Sequence, residues 1–460
     1  MKKICSILII LICCLIFSSC KEEKPKDIRV NLPFEETVKI VVCHNMGSMI
    51  NDNLFYDFDG SNPLFKNITI EFKDYTGSDE DFRKSVMDDK EVNVVLCDMN
   101  NIKYFQSQNK LVGLDDYIAL KDSDGNGGIV GLTKNQQSDY ISSLYDACKS
   151  FGDDKMYALP FLSTTEVMYY NKTFFESNNL PVPTHWFSKN ASDTTSLESV
   201  CRLIKQINPN CTPLSLDSEF ILFSDLMNQS GYDFISDKTP FYRFNNDNTI
   251  TLLTKLKDFY DKGYIRTPLT ASDGNYLSSS LNSEISYITI ASVKSASHLK
   301  PKHVDRPVSD EPIYKYEADV AMIPQIDENN QKVFAQGYCV AVLSSGDVKK
   351  DMAAWLYVKY LTNHDDLQAK CAMYTSNIPA RKSVATGPII SSYTIYGDGY
   401  DNLNRLATKV ACENVDALYS IPVSCTTSAI ATMNKMVSDV LKGVTTPANA
   451  INDVCNQLNN

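Results

Sequence analysis

The side chains best able to do chemistry are few and dispersed. The five histidines, His44, His185, His298, His303 and His364, stand singly, and none forms the H-E-x-x-H pair with which a helix grips zinc. Neither the G-x-S-x-G nucleophile elbow nor a G-x-x-x-x-G-K-[ST] phosphate loop occurs. The acidic pairs Asp115–Asp116 and Asp365–Asp366 read as caps or solvated turns. Two carboxylates distant along the chain could still be brought together for glycoside hydrolysis, so a carbohydrate-active enzyme stays open as an alternative. What stands out is "ALPFLSTTEVMYYNKTFFE", Ala158 to Glu176, which sets the hydroxyls Ser163, Thr164 and Thr165 among Phe161, Tyr169, Tyr170, Phe174 and Phe175. Each hydroxyl donates and accepts. The chemistry on offer is hydrogen bonding to something polar, with Tyr169, Phe174 and Phe175 expected in the core.

A second cluster suggests cation binding. Asp122, Asp124 and Asn126 alternate, Gly127 permits a sharp turn and Ile129 follows, which matches the front half of an EF-hand loop. The twelfth position is Thr133 instead of the bidentate glutamate. A structural Ca²⁺ and a plain Gly/Asp turn fit equally well. No other cofactor is expected.

The elements that must position these residues follow from hydrophobic periodicity. "VKIVVCHN", "NITIEFKDY" and "VNVVLCDMNN" read as strands and "DEDFRKSVMDD" as a helix, with "IKYFQSQNKLVGLDDYI" giving a helix and a turn. This βαβα order implies an α/β fold with a mostly parallel sheet, apolar on both faces. In such sheets ligands sit beyond the carboxyl ends of strands, where His44, Asn45, Asp98, Asn100 and Asn101 stand. The middle of the chain, about 171–314, is predicted mostly helical, with Asp193 and Asp247 as caps and Gly263 as a stop. "LKPKHVDRPVSDEPIYKYE" reads as an exposed loop, "ADVAMIP" and "GYCVAVLS" as strands, and "VKKDMAAWLYVKYLTNHDDLQAKCAMY" as helix.

Length, charge and the amino terminus narrow the class. "MKKICSILIILICCLIFSSC" has a basic start, a short apolar run and small residues before Cys20, the pattern of an export signal over 1–19. Small residues directly before Cys20 are similar to a bacterial lipobox, whose cysteine is lipidated; Phe17 stands where leucine is usual, and ordinary secretion is the alternative. Residues 20–36, polar and proline-bearing, read as a tether holding the protein to the outer face of the cell membrane. The remaining chain exceeds what one core normally organises, so two lobes are expected. The net charge of −12, or −14 without Lys2 and Lys3, argues against nucleic acid and anionic lipid surfaces. Of 14 cysteines, ten lie beyond the anchor and none forms C-x-x-C; burial as free thiols is expected for Cys43, Cys97 and Cys339, and Cys201 with Cys211, or Cys412 with Cys425, could pair in an oxidising compartment.

Taken in order, "NKLVGLDDYI", "YALPFLSTTEVMYYNKTFFESNNLPVPTHW", "DFYDKGYI", "ADVAMIP", "GYCVAVLSS", "AAWLYVKYLT", "SNIPARKS" and "LKGVTTPANAINDVCNQLN" resemble blocks of the family-one extracellular solute-binding proteins, the sugar-type capture subunits of bacterial ABC importers. The resemblance implies a type II periplasmic-binding-protein fold. Two α/β lobes would be joined by a hinge, one from 37–162 plus 318–362 and the other from 163–317 plus 363–460. It implies a monomer that takes a sugar or polyol in the interlobe cleft, hands it to membrane permease subunits and catalyses nothing. A surface-anchored glycan adhesin is the alternative. "LPFLSTTEV" would be the first crossing between lobes, placing Ser163, Thr164 and Thr165 in the cleft with Asn45, Asp98, Asn101, Ser292 and Gly337. Tyr338 is the best remaining aromatic candidate, with packing as its alternative; Arg381 could meet an anionic group, a surface salt bridge being the favoured reading. The family often sets tryptophans in the cleft; here Trp186 and Trp355 fall at structural positions, which disfavours a long maltodextrin.

Overall fold

The computed structural model describes residues 28–46, 62–75, 77–124, 127–232, 234–271, 276–299, 316–395, 402–422 and 425–460. The export signal, Cys20, Asn126 and most of the proline-rich segment after Leu299 lie outside them.

Three strands, β1 (Val38–His44), β2 (Ile68–Asp74) and β3 (Val92–Asp98), pair in parallel with β1 central. Val94 to Cys97 are at most 1% exposed, as a strand covered on both faces requires. Helix Asp79–Asp88 starts where Ser78 and Asp81 form a reciprocal capping box. Helix Val348–Asn363 lies on β1, β3 and the crossing strands. Its Trp355 is fully buried, and the indole N–H donates to the Val130 carbonyl at 3.0 Å.

A second body carries β5 (Leu214–Leu216), β6 (Ile265–Arg266) and β7 (Ile288–Ser292), again parallel, with β5 between the other two. Helices Glu219–Gln229, Asp247–Asp261, Thr427–Leu441 and Pro447–Asn459 pack with one another around it. Gly263 ends helix Asp247–Asp261 at φ +68°, a conformation natural to glycine.

Two antiparallel strands join the bodies. β4 (Leu159–Asn171) pairs β9 (Val333–Val342) from Leu159 to Thr165; from Glu166 onward it pairs β7, and from Met168 also β8 (Ala318–Ala321). β9 in turn pairs β3, giving the path β2-β1-β3-β9-β4-β7-β5-β6. The sheet is thus parallel at both ends and antiparallel where the chain crosses. β10 (Ile378–Pro379) pairs β4 at Leu162–Ser163, and β11 (Leu418–Tyr419) pairs β9 at Val333–Phe334. By pairing, then, 318–321 go with the second body and 378–379 with the first.

The ten described cysteines are free and buried, so neither the 201–211 nor the 412–425 pairing forms; each thiol is packed in the apolar core. The last residues of the expected tether are not loose, since Phe34 is buried and its carbonyl accepts the Asn67 side-chain amide at 2.5 Å. No helix among the described residues is long and apolar enough to cross a membrane.

Candidate ligand-binding site

Side chains alternate across a strand, and that alternation decides which hydroxyls of β4 are available. Pro160, Leu162 and Thr164 face a cavity of about 310 Å³ between the bodies. Ser163 and Thr165 face the other way. Ser163, fully buried, donates to the Gln336 carbonyl at 3.1 Å, and Thr165 donates to the Phe334 carbonyl at 2.7 Å. The expectation that all three hydroxyls line a cleft is therefore corrected: Ser163 and Thr165 staple β4 to β9. Thr164 Oγ1 is buried against the cavity with no hydrogen-bond partner.

The opposite strand supplies Gln336, Gly337 and Tyr338. A Cβ at Gly337 would lie 2.0 Å from the Leu162 carbonyl oxygen and 2.6 Å from Ser163 Cα. Glycine is required there because the two crossing strands touch. Tyr338 is half-buried, and burial, with the Asp98 charge second, holds its phenol above the usual range. Phe334, nearly buried, packs edge-on against Tyr419 with ring centres 5.9 Å apart.

The first body's wall comes from the end of β3. Asp98 caps helix Met99–Ser107, accepting from the backbone N–H groups of Asn100 at 2.8 Å and Asn101 at 3.1 Å. Its other oxygen accepts the Asn101 side-chain amide at 2.8 Å. Burial raises the Asp98 pKa while these hydrogen bonds pull it down. Asn101 is fully buried, donating also to Asp79 at 2.9 Å and accepting from Arg83 Nε at 2.7 Å. Asn45 reaches the same Asp79 carboxylate at 3.4 Å. Asp98 therefore lines the cavity, whereas Asn101 holds it from behind and Asn45 reaches only Asp79.

The second body contributes Lys294, just past the end of β7, with Ser420, Ile421, Pro422 and Ile430. Lys294 Nζ lies 5.1 Å from the Tyr338 ring centre, within cation–π range, and burial lowers its pKa. Ser292 does not line the cavity; its hydroxyl meets Ser295 Oγ at 3.3 Å and its carbonyl accepts the Tyr169 hydroxyl at 2.9 Å. Asn377, just before β10, is fully buried and lines the cavity; its amide N–H groups donate to Thr375, while Oδ1 has no partner. Arg381 is engaged elsewhere: it pairs with Asp139 at 2.7 Å and with Asp365, and donates to the Asn363 carbonyl at 3.1 Å.

Thus Asp98, Thr164, Gly337 and Tyr338 converge, and Asn45, Asn101, Ser163, Thr165, Ser292 and Arg381 do not line the cavity. The site residues that the sequence did not single out are Lys294, Phe334 and Asn377. The signal for Asn377 is a lone amide directly before the apolar pair Ile378–Pro379, in a motif where Arg381 drew the attention.

In the aspartate-rich loop, the Asp124 backbone N–H donates to the Gly128 carbonyl at 3.1 Å and its carboxylate accepts the Gly128 N–H at 2.8 Å. Ser123 and Ile129 pair beside these bonds. No group of three or more His, Cys, Asp or Glu among the described residues is arranged to hold a metal, and Asn126 lies outside them.

Two α/β bodies joined by paired crossing strands, with a cavity at the crossing, define a two-lobed solute-binding protein. The model of the bacterial extracellular solute-binding proteins matches residues 64–398, and the chain belongs to that family. Membership implies export. No curated protein matches the chain. Among solved structures, the sugar-binding protein MalE from Xanthomonas citri superposes with a TM-score of 0.70 at 15% identity, covering 92% of this chain and 96% of that one. The cyclic alpha-maltosyl-1,6-maltose binding protein from Arthrobacter globiformis gives 0.67 at 17% identity, with 92% and 98% covered. UgpB from Mycobacterium tuberculosis, in complex with glycerophosphocholine, gives 0.62 at 14% identity over 92% and 98%. At these identities the likeness is one of fold.

Proposed function

We propose that the chain is the lipid-anchored capture component of an ABC importer, and that it holds a carbohydrate or related polyol in the interlobe cavity by hinge closure. One observation carries this reading: two residues of the cavity wall, Thr164 and Asn377, each carry a buried polar atom, Oγ1 and Oδ1, with no hydrogen-bond partner in the protein. A buried polar atom left unpaired costs about 1–3 kcal/mol, and such atoms are rare in folded proteins. A hydroxyl-bearing solute would satisfy both. Tyr338 supplies apolar surface for the face of a sugar ring. The volume sits at the lower end of the roughly 300–1,000 Å³ typical of small-molecule pockets, which suits a small sugar. Asp98 is the one carboxylate on the described cavity wall, whereas two-carboxylate hydrolysis needs a pair; this favours capture over chemistry.

Closure would follow from contacts to both bodies, because a ligand shifts an equilibrium only by binding one state better. Lipidation at Cys20 would keep the protein beside its permease. Calorimetry of the full chain against neutral sugars, polyols and their acidic derivatives tests the capture, with small-angle scattering on the same samples for closure. Binding that weakens roughly tenfold in Thr164→Val, with a smaller radius of gyration on saturation, is the expected result. Absence of binding across the panel, or an unchanged radius, would overturn it.

A further inference from the structure

Only two charged side chains, Asp98 and Lys294, stand on the described wall of the cavity, and they differ in what they have left to give. Both Asp98 oxygens are used by the cap of helix Met99–Ser107 and by the Asn101 amide. Lys294 has no carboxylate within ion-pair distance among the described residues; its one charged-group contact is the Tyr338 ring, 5.1 Å away. A lysine on a protein of net charge −12 has abundant carboxylates to meet, and exposed lysines here do meet them, as Lys39 does Glu71 at 2.5 Å and Lys435 does Asp439 at 2.6 Å. The ammonium at the cavity is instead partly withdrawn from water and uncompensated. A group so placed is stabilised when an anion arrives.

Resting on the capture role proposed above, we infer that the solute carries a single negative charge: a polyhydroxy compound bearing one carboxylate or one phosphodiester, whose anionic group pairs with Lys294 Nζ while its carbon frame lies on Tyr338 and its hydroxyls meet Thr164 Oγ1 and Asn377 Oδ1. One cation without an ion pair on the described wall argues for one charge. A phosphomonoester dianion would bring surplus negative charge towards the Asp98 carboxylate. The arginine that the sequence offered for an anion, Arg381, is already saturated by Asp139 and Asp365.

The test is calorimetry on the full chain with matched pairs: glucuronate against glucose, galacturonate against galactose, and glycerophosphoglycerol against glycerol. At least one anionic member is expected to bind ~10–100-fold more tightly than its neutral partner, the range of a charge-assisted hydrogen bond. Added salt should narrow the gap. Lys294→Gln should remove the preference and Lys294→Arg should retain most of it, with the melting temperature of both within a few degrees of wild type. Which pair responds tells carboxylate from phosphodiester. If neutral sugars bind as well as the acids, or Lys294→Gln leaves the preference intact, the anion inference falls and the capture role stands. If no member of any pair binds, both fall.

Discussion

Arg381 and Lys294 occupy comparable places in the chain. Each lies two residues beyond the end of a short strand, β10 ending at Pro379 and β7 at Ser292. Their surroundings are opposite. The guanidinium is 11% exposed and engaged by two carboxylates and a backbone carbonyl. The ammonium faces a cavity and an aromatic ring. Asp139 shows the same saturation from the other side: burial would raise its pKa, yet the Ser383 hydrogen bonds and the Arg381 charge bring it below the usual range. The contrast teaches that a basic residue in a suggestive loop is uninformative until its partners are counted. One is a staple of the fold, and the other is the hook of the proposed capture.

The sharpest way to break this contrast is Arg381→Met. It leaves Asp139 and Asp365 without their cation and is expected to cost about 3 kcal/mol of stability, read as a shifted urea midpoint, with no selective change in ligand preference. If the melting temperature barely moves while binding is lost, the roles assigned to the two cations are reversed.

An effect read through pH is expected at Asp225, buried in the second body, where it accepts from the Phe334 N–H at 2.8 Å and the Tyr419 hydroxyl at 3.1 Å. Burial pushes its pKa up to about 8. The folded protein thus keeps a proton that the unfolded chain has released above about pH 4. This contribution to stability is complete below that pH and is lost as pH rises towards 8, by up to about 1.4 kcal/mol per pH unit. Asp225→Asn should flatten the decline in stability between pH 5 and pH 8. It should not abolish it, because burial raises Glu166 in the same direction. Parallel curves for the two proteins would contradict the assignment.

Neighbouring hydroxyls sharpen the comparison further. Thr165→Val strands the Phe334 carbonyl and should destabilise by about 1–2 kcal/mol. Thr164→Val removes a hydroxyl that has no partner, so stability should stay within about 0.5 kcal/mol while solute affinity falls roughly tenfold. Denaturation and calorimetry on the pair read both. The smallest expected change in stability is that of Lys294→Gln, also within about 0.5 kcal/mol, despite its large expected effect on ligand preference.

Much of the scaffold is legible in the sequence because burial writes itself into apolar runs. "VNVVLC" could hardly be anything but a strand with both faces covered, and "LLTKLKDFYDKG" announces its own end at Gly263. Caps were less legible. Helix Leu197–Ile207 is capped by Ser196, not by Asp193, and helix Asp247–Asp261 by Asn246. In "SDTTS" several residues can cap, and the choice is made by His185, whose ring meets Asp193 at 2.7 Å and commits it to the preceding turn. The site was legible only in part for a related reason. Thr164 could be found, and alternation along a strand could have separated it from Ser163 and Thr165. Lys294 and Asn377 become site residues only when the ends of β7 and β10 meet at the crossing, which no local pattern encodes.

The tight approach at Gly337 has a mechanical corollary. With the Leu162 carbonyl 2.0 Å from where a methyl group would sit, β4 and β9 behave as one stiff ribbon up to Thr165, and the pairing passes to β7 at Glu166. Any swing of one half of the protein against the other must concentrate its bending at that handover. Thr164 lies two residues from Glu166, so the proposed solute would grip the molecule beside such a pivot, and a small displacement there would be magnified at the ends of the molecule far from it.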